Sequence, residues 1–305
     1  MIYISGFTSC VGEKKEIAEL RSNDIYENSL IDDLTNSGGL SSYRVSRETP
    51  YKMAASCIRK FIDKYDVKAE DVDYVVYATS TLWNPEFTSR GHISNLLIDS
   101  GLVGSIPLAV FGHGCANFHA AILLAKSICT SEDSNVLVVT VDKAGSQPTR
   151  IISPGVSIAS DGAACALVSG SLKLDKAYSI DSVNIQYGPE LADMDVNASR
   201  SEYFDRVAKG VRTSVRDSLE QSRCKPRDVV RVFTNNYRKP TIEMFTSLCG
   251  FNEKQLYLDT LAEYGHCFAA DPFIMLEAST PIVGTSLVLG TGTQTWAAAT
   301  LTFNE

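Results

Sequence analysis

Strand-like and helix-like segments alternate along this 305-residue chain and predict an α/β protein. Three observations carry that prediction. Short apolar runs bounded by glycine or charge alternate with longer stretches whose apolar residues recur at helical spacing. The rhythm occurs twice, once in each half. Each half also holds a strand introduced by Asp-Val, at Asp71-Val72 and at Asp228-Val229, followed by a strand-to-helix corner. The expectation is a duplicated unit with pseudo-two-fold symmetry, largely parallel strands and two tightly packed halves, 1–170 and 171–305.

The elements follow in order. Residues 1–5 read as a strand leading into polar loop. Residues 53–65 have the spacing of an amphipathic helix, 72–78 form a strand and 88–100 a second helix. Ile106 to Phe111, apolar and flanked by glycine, reads as a buried strand. A helix over 116–128 follows, with Phe118, Ala121, Ile122 and Ala125 in phase, then strands over 135–141 and 163–169. The second half offers a long helix over 201–222, a strand over 229–234 and a helix over 240–248. An irregular stretch through 264–271, a helix over 272–278 and a strand over 285–289 complete it.

Composition narrows the function. A net charge of −8, spread without long single-sign runs, argues against a nucleic-acid binder. No stretch reaches the roughly 18 apolar residues needed to cross a bilayer. The start lacks the charged and apolar regions of a secretory signal, so a cytoplasmic location and no membrane partner are expected. Eight cysteines form no C-x-x-C pair, and four histidines cannot write a zinc cluster at the usual spacings. The thiols therefore read as reduced core residues, and no metal is expected. Gly290 to Trp296 is glycine-rich but fails the G-x-G-x-x-G pattern and opens no helix, so no dinucleotide or other cofactor is expected.

Cys115 is the most informative residue. It lies in Gly112-His113-Gly114-Cys115-Ala116, where a strand turns into a helix. Free backbone N–H groups and the helix dipole favour an anion there, and the thiolate is the nucleophilic form of cysteine. The plainer reading is a small buried hydrophobe. Four further blocks bear on the choice: Ser160-Asp161-Gly162-Ala163-Ala164, Phe233 to Tyr237, Tyr264 to Asp271, and the Gly290 to Trp296 turn.

In order and spacing these blocks resemble the thiolase superfamily, and within it the third-class β-ketoacyl synthases. The resemblance covers almost the whole chain. Cys115 falls on the family nucleophile, Ser160-Asp161-Gly162-Ala163 is similar to its Gly-Asp-Gly-Ala turn, and Gly290 to Trp296 to its terminal Gly-Gly-Gly-Phe-Thr-Trp turn. It implies a five-layered αβαβα fold from two duplicated halves, a homodimer, and acyl transfer from a thioester onto Cys115.

The departures from the family pattern point to a different second step. The condensing members use a histidine from His-Gln-Ala-Asn and an asparagine from Gly-Asn-Thr-Ser. Here the first falls on Asn235 and the second on His266, so the two residue types have traded places. Asp271 lies five residues after His266. A carboxylate beside one imidazole nitrogen fixes the tautomer and leaves the other free for proton transfer. Cys115, His266 and Asp271 thus read as a Cys-His-Asp triad, which resembles the acyltransferase branch of the family. Asp271 could instead cap the helix that begins at Pro272, and His266 could be a turn histidine.

The remaining candidates have smaller roles. Asn235 and Asn236 can orient a substrate carbonyl but cannot shuttle protons, because an amide has no useful pKa. His113 reads as pocket-lining, His119 as core or interface, and Asp161 as a brace for its own turn. The Cys115 N–H and a second amide within Gly290 to Thr293 are expected to form the oxyanion hole, with Gly292 and Thr293 on the substrate side. Such donors supply about 2.7–4 kcal/mol each.

The family clamps the coenzyme A adenine with a tryptophan and an arginine. Ser41 to Arg47 lacks the tryptophan, and the only two are Trp83 and Trp296. The donor is accordingly an acyl-carrier-protein or coenzyme A thioester, with Arg44, Arg47, Arg150, Arg206, Lys209 and Arg212 as candidates for a basic patch facing an acidic carrier. The acceptor is a small-molecule or carrier-bound O-, N- or S-nucleophile. Two alternatives stay open: a ketosynthase with a rearranged site, and a non-catalytic thiolase-like partner subunit.

Overall fold

A computed structural model describes residues 1–304 except 24, 83, 85–90, 130–133, 146–149, 153–154, 172, 193 and 195–198. Trp83, and residues 88–90 of the second expected helix, lie outside the described residues.

Nine strands form one sheet: β1 (Tyr3–Val11), β2 (Tyr74–Ala78), β3 (Ile106–Val110), β4 (Asn135–Asp142), β5 (Gly162–Ser169), β6 (Tyr178–Tyr187), β7 (Arg231–Thr234), β8 (Gly284–Thr291) and β9 (Thr295–Phe303). Their order across the sheet is β7-β8-β9-β6-β1-β5-β4-β2-β3. The order is the same in both directions from the β1–β6 seam. An antiparallel neighbour comes first (β5 or β9), then a second (β4 or β8), then a parallel one (β2 or β7). The sheet is therefore mixed rather than largely parallel. The expectation missed this because hydrophobic period alone does not distinguish strand direction.

Six helices pack on the sheet: α1 (Pro50–Tyr65), α2 (His92–Ser100), α3 (Asn117–Ile128), α4 (Arg200–Gln221), α5 (Lys239–Ser247) and α6 (Asp271–Ala278). The seam pairs only Tyr3 with Ser179 and Ile4 with Tyr178. Beyond those two rungs the halves diverge, and α3 and α6 fill the space between them. Phe118 and Ile122 of α3 and Phe273 and Leu276 of α6 share one core with Val76, Val138, Val288 and Leu301 from both halves. On the first outer face, Met53, Cys57 and Phe61 of α1 cover Val75, Tyr77 and Val139. On the other, Val207, Val211, Val215 and Leu219 of α4, one residue per turn, cover Leu287, Leu289 and Trp296. Alternate residues of β2 thus enter different cores, which is why this strand is apolar throughout. The result is the αβαβα sandwich.

The two Asp-Val signals occupy equivalent places. Ala69–Asp71 and Pro226–Asp228 are each a single 3-10 turn, and each hands a buried valine, Val72 or Val229, to the strand that follows. One expected burial is reversed. β3 is the sheet's edge, and Ile106, Pro107 and Ala109 are exposed, as is Phe111 beyond it.

Candidate active site

Cys115 sits in a 3-10 turn, Gly114–Ala116, between β3 and α3. Gly112 and Gly114 hold φ of +92° and +54°, which lets the chain reverse there without Cβ strain. The Ala116 N–H donates to the His113 carbonyl, and the His113 N–H to Asn117 Oδ1 at 3.2 Å. The thiol is half-buried and free.

His266 is held by its backbone. Its N–H donates to the Ile158 carbonyl, and its own carbonyl accepts from Ser160 N–H, both at 2.8 Å. Asp161 in turn anchors that stretch. It is fully buried, paired with Arg150 at 3.1 and 3.2 Å, and accepts from the Ser46 and Ala144 N–H groups. The Ser160-Asp161-Gly162 block therefore positions the histidine. The brace expected of Asp161 serves more than its own turn.

The side chains of the first and second halves meet here. Cys115 Sγ lies 3.0 Å from His266 Nε2, and His266 Nδ1 lies 2.5 Å from Asp271 Oδ2. A carboxylate only accepts, so Nδ1 carries a proton and Nε2 faces the sulfur. Asp271 also accepts from the Asn236 N–H and from the Cys267 N–H, each at 2.7 Å. It stands inside the first turn of α6 and makes no capping bond to that helix. The cap reading therefore does not describe it.

Burial by itself disfavours the His266 cation. The Cys115 sulfur and the Asp271 carboxylate outweigh burial, and the imidazolium pKa rises to about 10. The ring contacts two aromatic rings, both tilted against it, Tyr237 at 5.0 Å and Phe268 at 5.2 Å between centroids. Phe268 holds φ +54°, a conformation bulky residues seldom adopt, within the reversal that carries the chain from His266 back to Asp271.

The other candidates separate. Asn235 is buried; its Oδ1 accepts the Thr291 N–H at 2.8 Å, and its Nδ2 lies 3.5 Å from the Phe268 carbonyl. Asn236, expected at the substrate, instead donates Nδ2 to the Gly265 and Thr260 carbonyls and braces the loop before His266. Gly292 donates its N–H to the Thr295 carbonyl, so that amide is not available to a substrate. What Gly292 provides is closeness: a Cβ there would lie 3.0 Å from the His113 carbonyl and 3.6 Å from the Cys115 N. The Cys115 and Thr293 amides have no acceptor among the described residues, which narrows the expected second donor to Thr293.

His113 is half-buried, packs edge-on against Tyr187, and its imidazolium is disfavoured by burial. His119 is fully buried with Nε2 3.0 Å from the Val288 carbonyl. The proposed basic patch is broken up. Arg150 is buried on Asp161, Arg44 leans on Glu263 and the Tyr264 ring, and Arg206 pairs with Glu190 and Glu202. Arg47, Lys209 and Arg212 remain exposed. Trp296 packs into the α4 core, where a Cβ on Gly210 would overlap its ring, so it is not placed to clamp a nucleotide.

Tyr237 was not anticipated. Its hydroxyl donates to the Thr291 carbonyl at 2.6 Å and its ring covers His266. A signal existed: counting on from Asn235 puts this bulky phenol on the alanine of His-Gln-Ala-Asn. Among the described residues no group of three potential metal ligands clusters, and no helix is long and apolar enough to cross a membrane.

No protein-family model matches the chain, and no curated protein matches it. Solved structures do. The ChlB3 acyltransferase aligns over 99% of this chain and 97% of its own, at 19% identity and TM-score 0.82. The 3-oxoacyl-[acyl-carrier-protein] synthase III of Aquifex aeolicus VF5 aligns over 99% and 100%, at 20% and 0.81. The priming β-ketosynthase of the R1128 polyketide pathway aligns over 100% and 97%, at 19% and 0.79. Across end-to-end alignments of this quality the fold is the thiolase-like one, shared with acyltransferases and condensing enzymes alike.

Proposed function

We propose that this protein is an acyltransferase that moves an acyl group from a carrier-protein or coenzyme A thioester, through acyl-Cys115, to an oxygen, nitrogen or sulfur nucleophile. The observation that carries the reading is the unbroken chain from Cys115 Sγ through His266 to Asp271. The Cys115 sulfur attacks the thioester carbonyl; a carbon–sulfur bond forms, and the carbonyl oxygen takes the charge opposite the Cys115 and Thr293 amides. When the carbonyl reforms, the donor thiolate leaves and takes the proton from His266 Nε2. The now neutral imidazole accepts a proton from the acceptor, whose attack returns Cys115 as the leaving group. Asp271 holds Nδ1 protonated through both steps, and Asn235 orients a carbonyl without exchanging protons. The halves 1–170 and 171–305 divide this work, the first bringing the nucleophile and the second His266, Asp271 and Thr293.

The setting is a cytoplasmic homodimer in specialised biosynthesis, with no nucleic acid and no cofactor involved. Self-association is supported by β3, an apolar edge strand with Ile106 53% exposed, since the open edge of an apolar strand is a template for pairing with another chain. Intact-protein mass after mixing with a panel of acyl thioesters tests the reading. Wild type gains one acyl group, Cys115→Ala gains none, and His266→Ala keeps its adduct when acceptors are added. If no thioester labels Cys115, the reading falls and the partner-subunit alternative replaces it. A ketone product from a malonyl or β-keto thioester would replace it with the condensing one.

A further inference from the structure

We propose that Tyr237 is a positioning residue that sets the oxyanion turn against the nucleophile. The inference rests on the acyl-Cys115 reading and extends it. Thr291, at the end of β8, is gripped on both sides of its Cα. Its N–H donates to Asn235 Oδ1 at 2.8 Å, and its carbonyl accepts from the Tyr237 hydroxyl at 2.6 Å. Its own Oγ1 donates back to the Tyr237 oxygen at 3.2 Å. Both clamping residues come from the corner after β7, the counterpart in the second half of the corner after β2.

The peptide after Thr291 belongs to Gly292, which lies against the His113 carbonyl and Cys115 N, and the next N–H is the uncommitted one of Thr293. Fixing Thr291 therefore fixes where the Thr293 N–H points relative to the sulfur. Donors of this kind act only when held in place before the charge develops. The same tyrosine ring lies 5.0 Å from His266, so one side chain bears on both the base and the oxyanion turn. Burial, and then the neighbouring Cys115 sulfur, keep the phenol neutral and hence a donor. The gap bounded by Tyr237, Asn235, Ile242, Leu289 and Thr291 admits no water-sized sphere.

The test separates two reactions of the same thiol. Thioester acylation passes through an oxyanion; alkylation by iodoacetamide does not. In Tyr237→Phe, which keeps the ring, acylation of Cys115 is expected to slow about 10- to 100-fold, short of the ~10²–10³ that losing an oxyanion donor costs. The rate and pH profile of alkylation stay as in wild type, which also shows that the variant is folded. Unchanged acylation, or acylation and alkylation falling together, would overturn the proposal, the second by placing Tyr237 on the thiol itself. A wild type that no thioester acylates defeats the acyl-Cys115 reading instead, and is told apart because it needs no variant.

Discussion

His266 and His119 are both fully buried, yet they behave oppositely. His119 rises from α3 with Nε2 on the Val288 carbonyl, and because a carbonyl only accepts, Nε2 carries a proton. Burial lowers its pKa to about 4. His266 meets the same desolvation, but Cys115 and Asp271 raise it to about 10. Burial sets the cost of the charge, and the partners decide whether it is met. One imidazole can be cycled between protonation states by the groups around it; the other serves as packing.

The largest effect expected from that difference lies at Cys115. Replacing it with alanine abolishes acyl mass gain and removes one of the groups that sustain the His266 cation. Next comes the histidine. His266→Gln should slow transfer to the acceptor by about 10²–10⁴, the usual contribution of a general acid–base group, in single-turnover assays of acyl-Cys115. Transfer at the wild-type rate would mean that the contrast between the two histidines has no chemical consequence.

Asp271→Asn sharpens the comparison by making His266 more like His119. Breaking a buried charge pair costs about 3–5 kcal/mol, measurable by urea unfolding. The pH dependence should also change. A histidine held at about 10, above its ordinary 6.5, contributes stability that is full below pH 6.5 and is lost as pH rises through 10. Wild-type stability therefore declines along that alkaline limb, and Asp271→Asn flattens it. An unchanged limb would show that the carboxylate does not sustain the cation.

Much of this arrangement can be read in the chain, for physical reasons that also mark the limits. Cys115 is found because a reactive side chain stands at a strand-to-helix corner that glycine punctuates, whereas His266 and Asp271 are reached through the resemblance to the condensing family and their spacing from one another. β6 escapes because a bulge between Ile180 and Ser182 breaks its alternation, putting Tyr178 and Ile180 in one phase and Val183 and Ile185 in the other, while Ser182 is buried against Ser218 and Thr300 on the remaining face. β9 escapes because the glycine-rich turn before it reads as an end. β3 misleads in the other direction, since an apolar run looks the same in a core and on an edge. Asn236 shows the finer limit. Spacing puts it beside the site, but only the structure shows its amide spent on Gly265 and Thr260.

Gly290→Ala tests the His119 side. A Cβ there would stand 2.5 Å from His119 Cε1, and the ring cannot retreat without leaving the Val288 carbonyl. Overpacking of this kind costs about 1–3 kcal/mol, read as a lowered Tm. No loss would mean that the His119 ring is free to move, and that its neutrality is not enforced by its setting.

The last effect is the other half of the pH argument. A histidine held at about 4, below its ordinary 6.5, contributes stability that is present above pH 6.5 and is lost as pH falls through 4. His119 thus tilts the acid limb as His266 tilts the alkaline one, by on the order of a few kcal/mol each. His119→Gln can still donate to the Val288 carbonyl but cannot titrate. Its stability should fall less steeply between pH 6.5 and 4 than wild type, while its alkaline limb keeps the wild-type slope. Loss of slope on the alkaline side instead would mean that the two histidines are not independent, and that the packing around His119 helps to hold the Cys115 turn against His266.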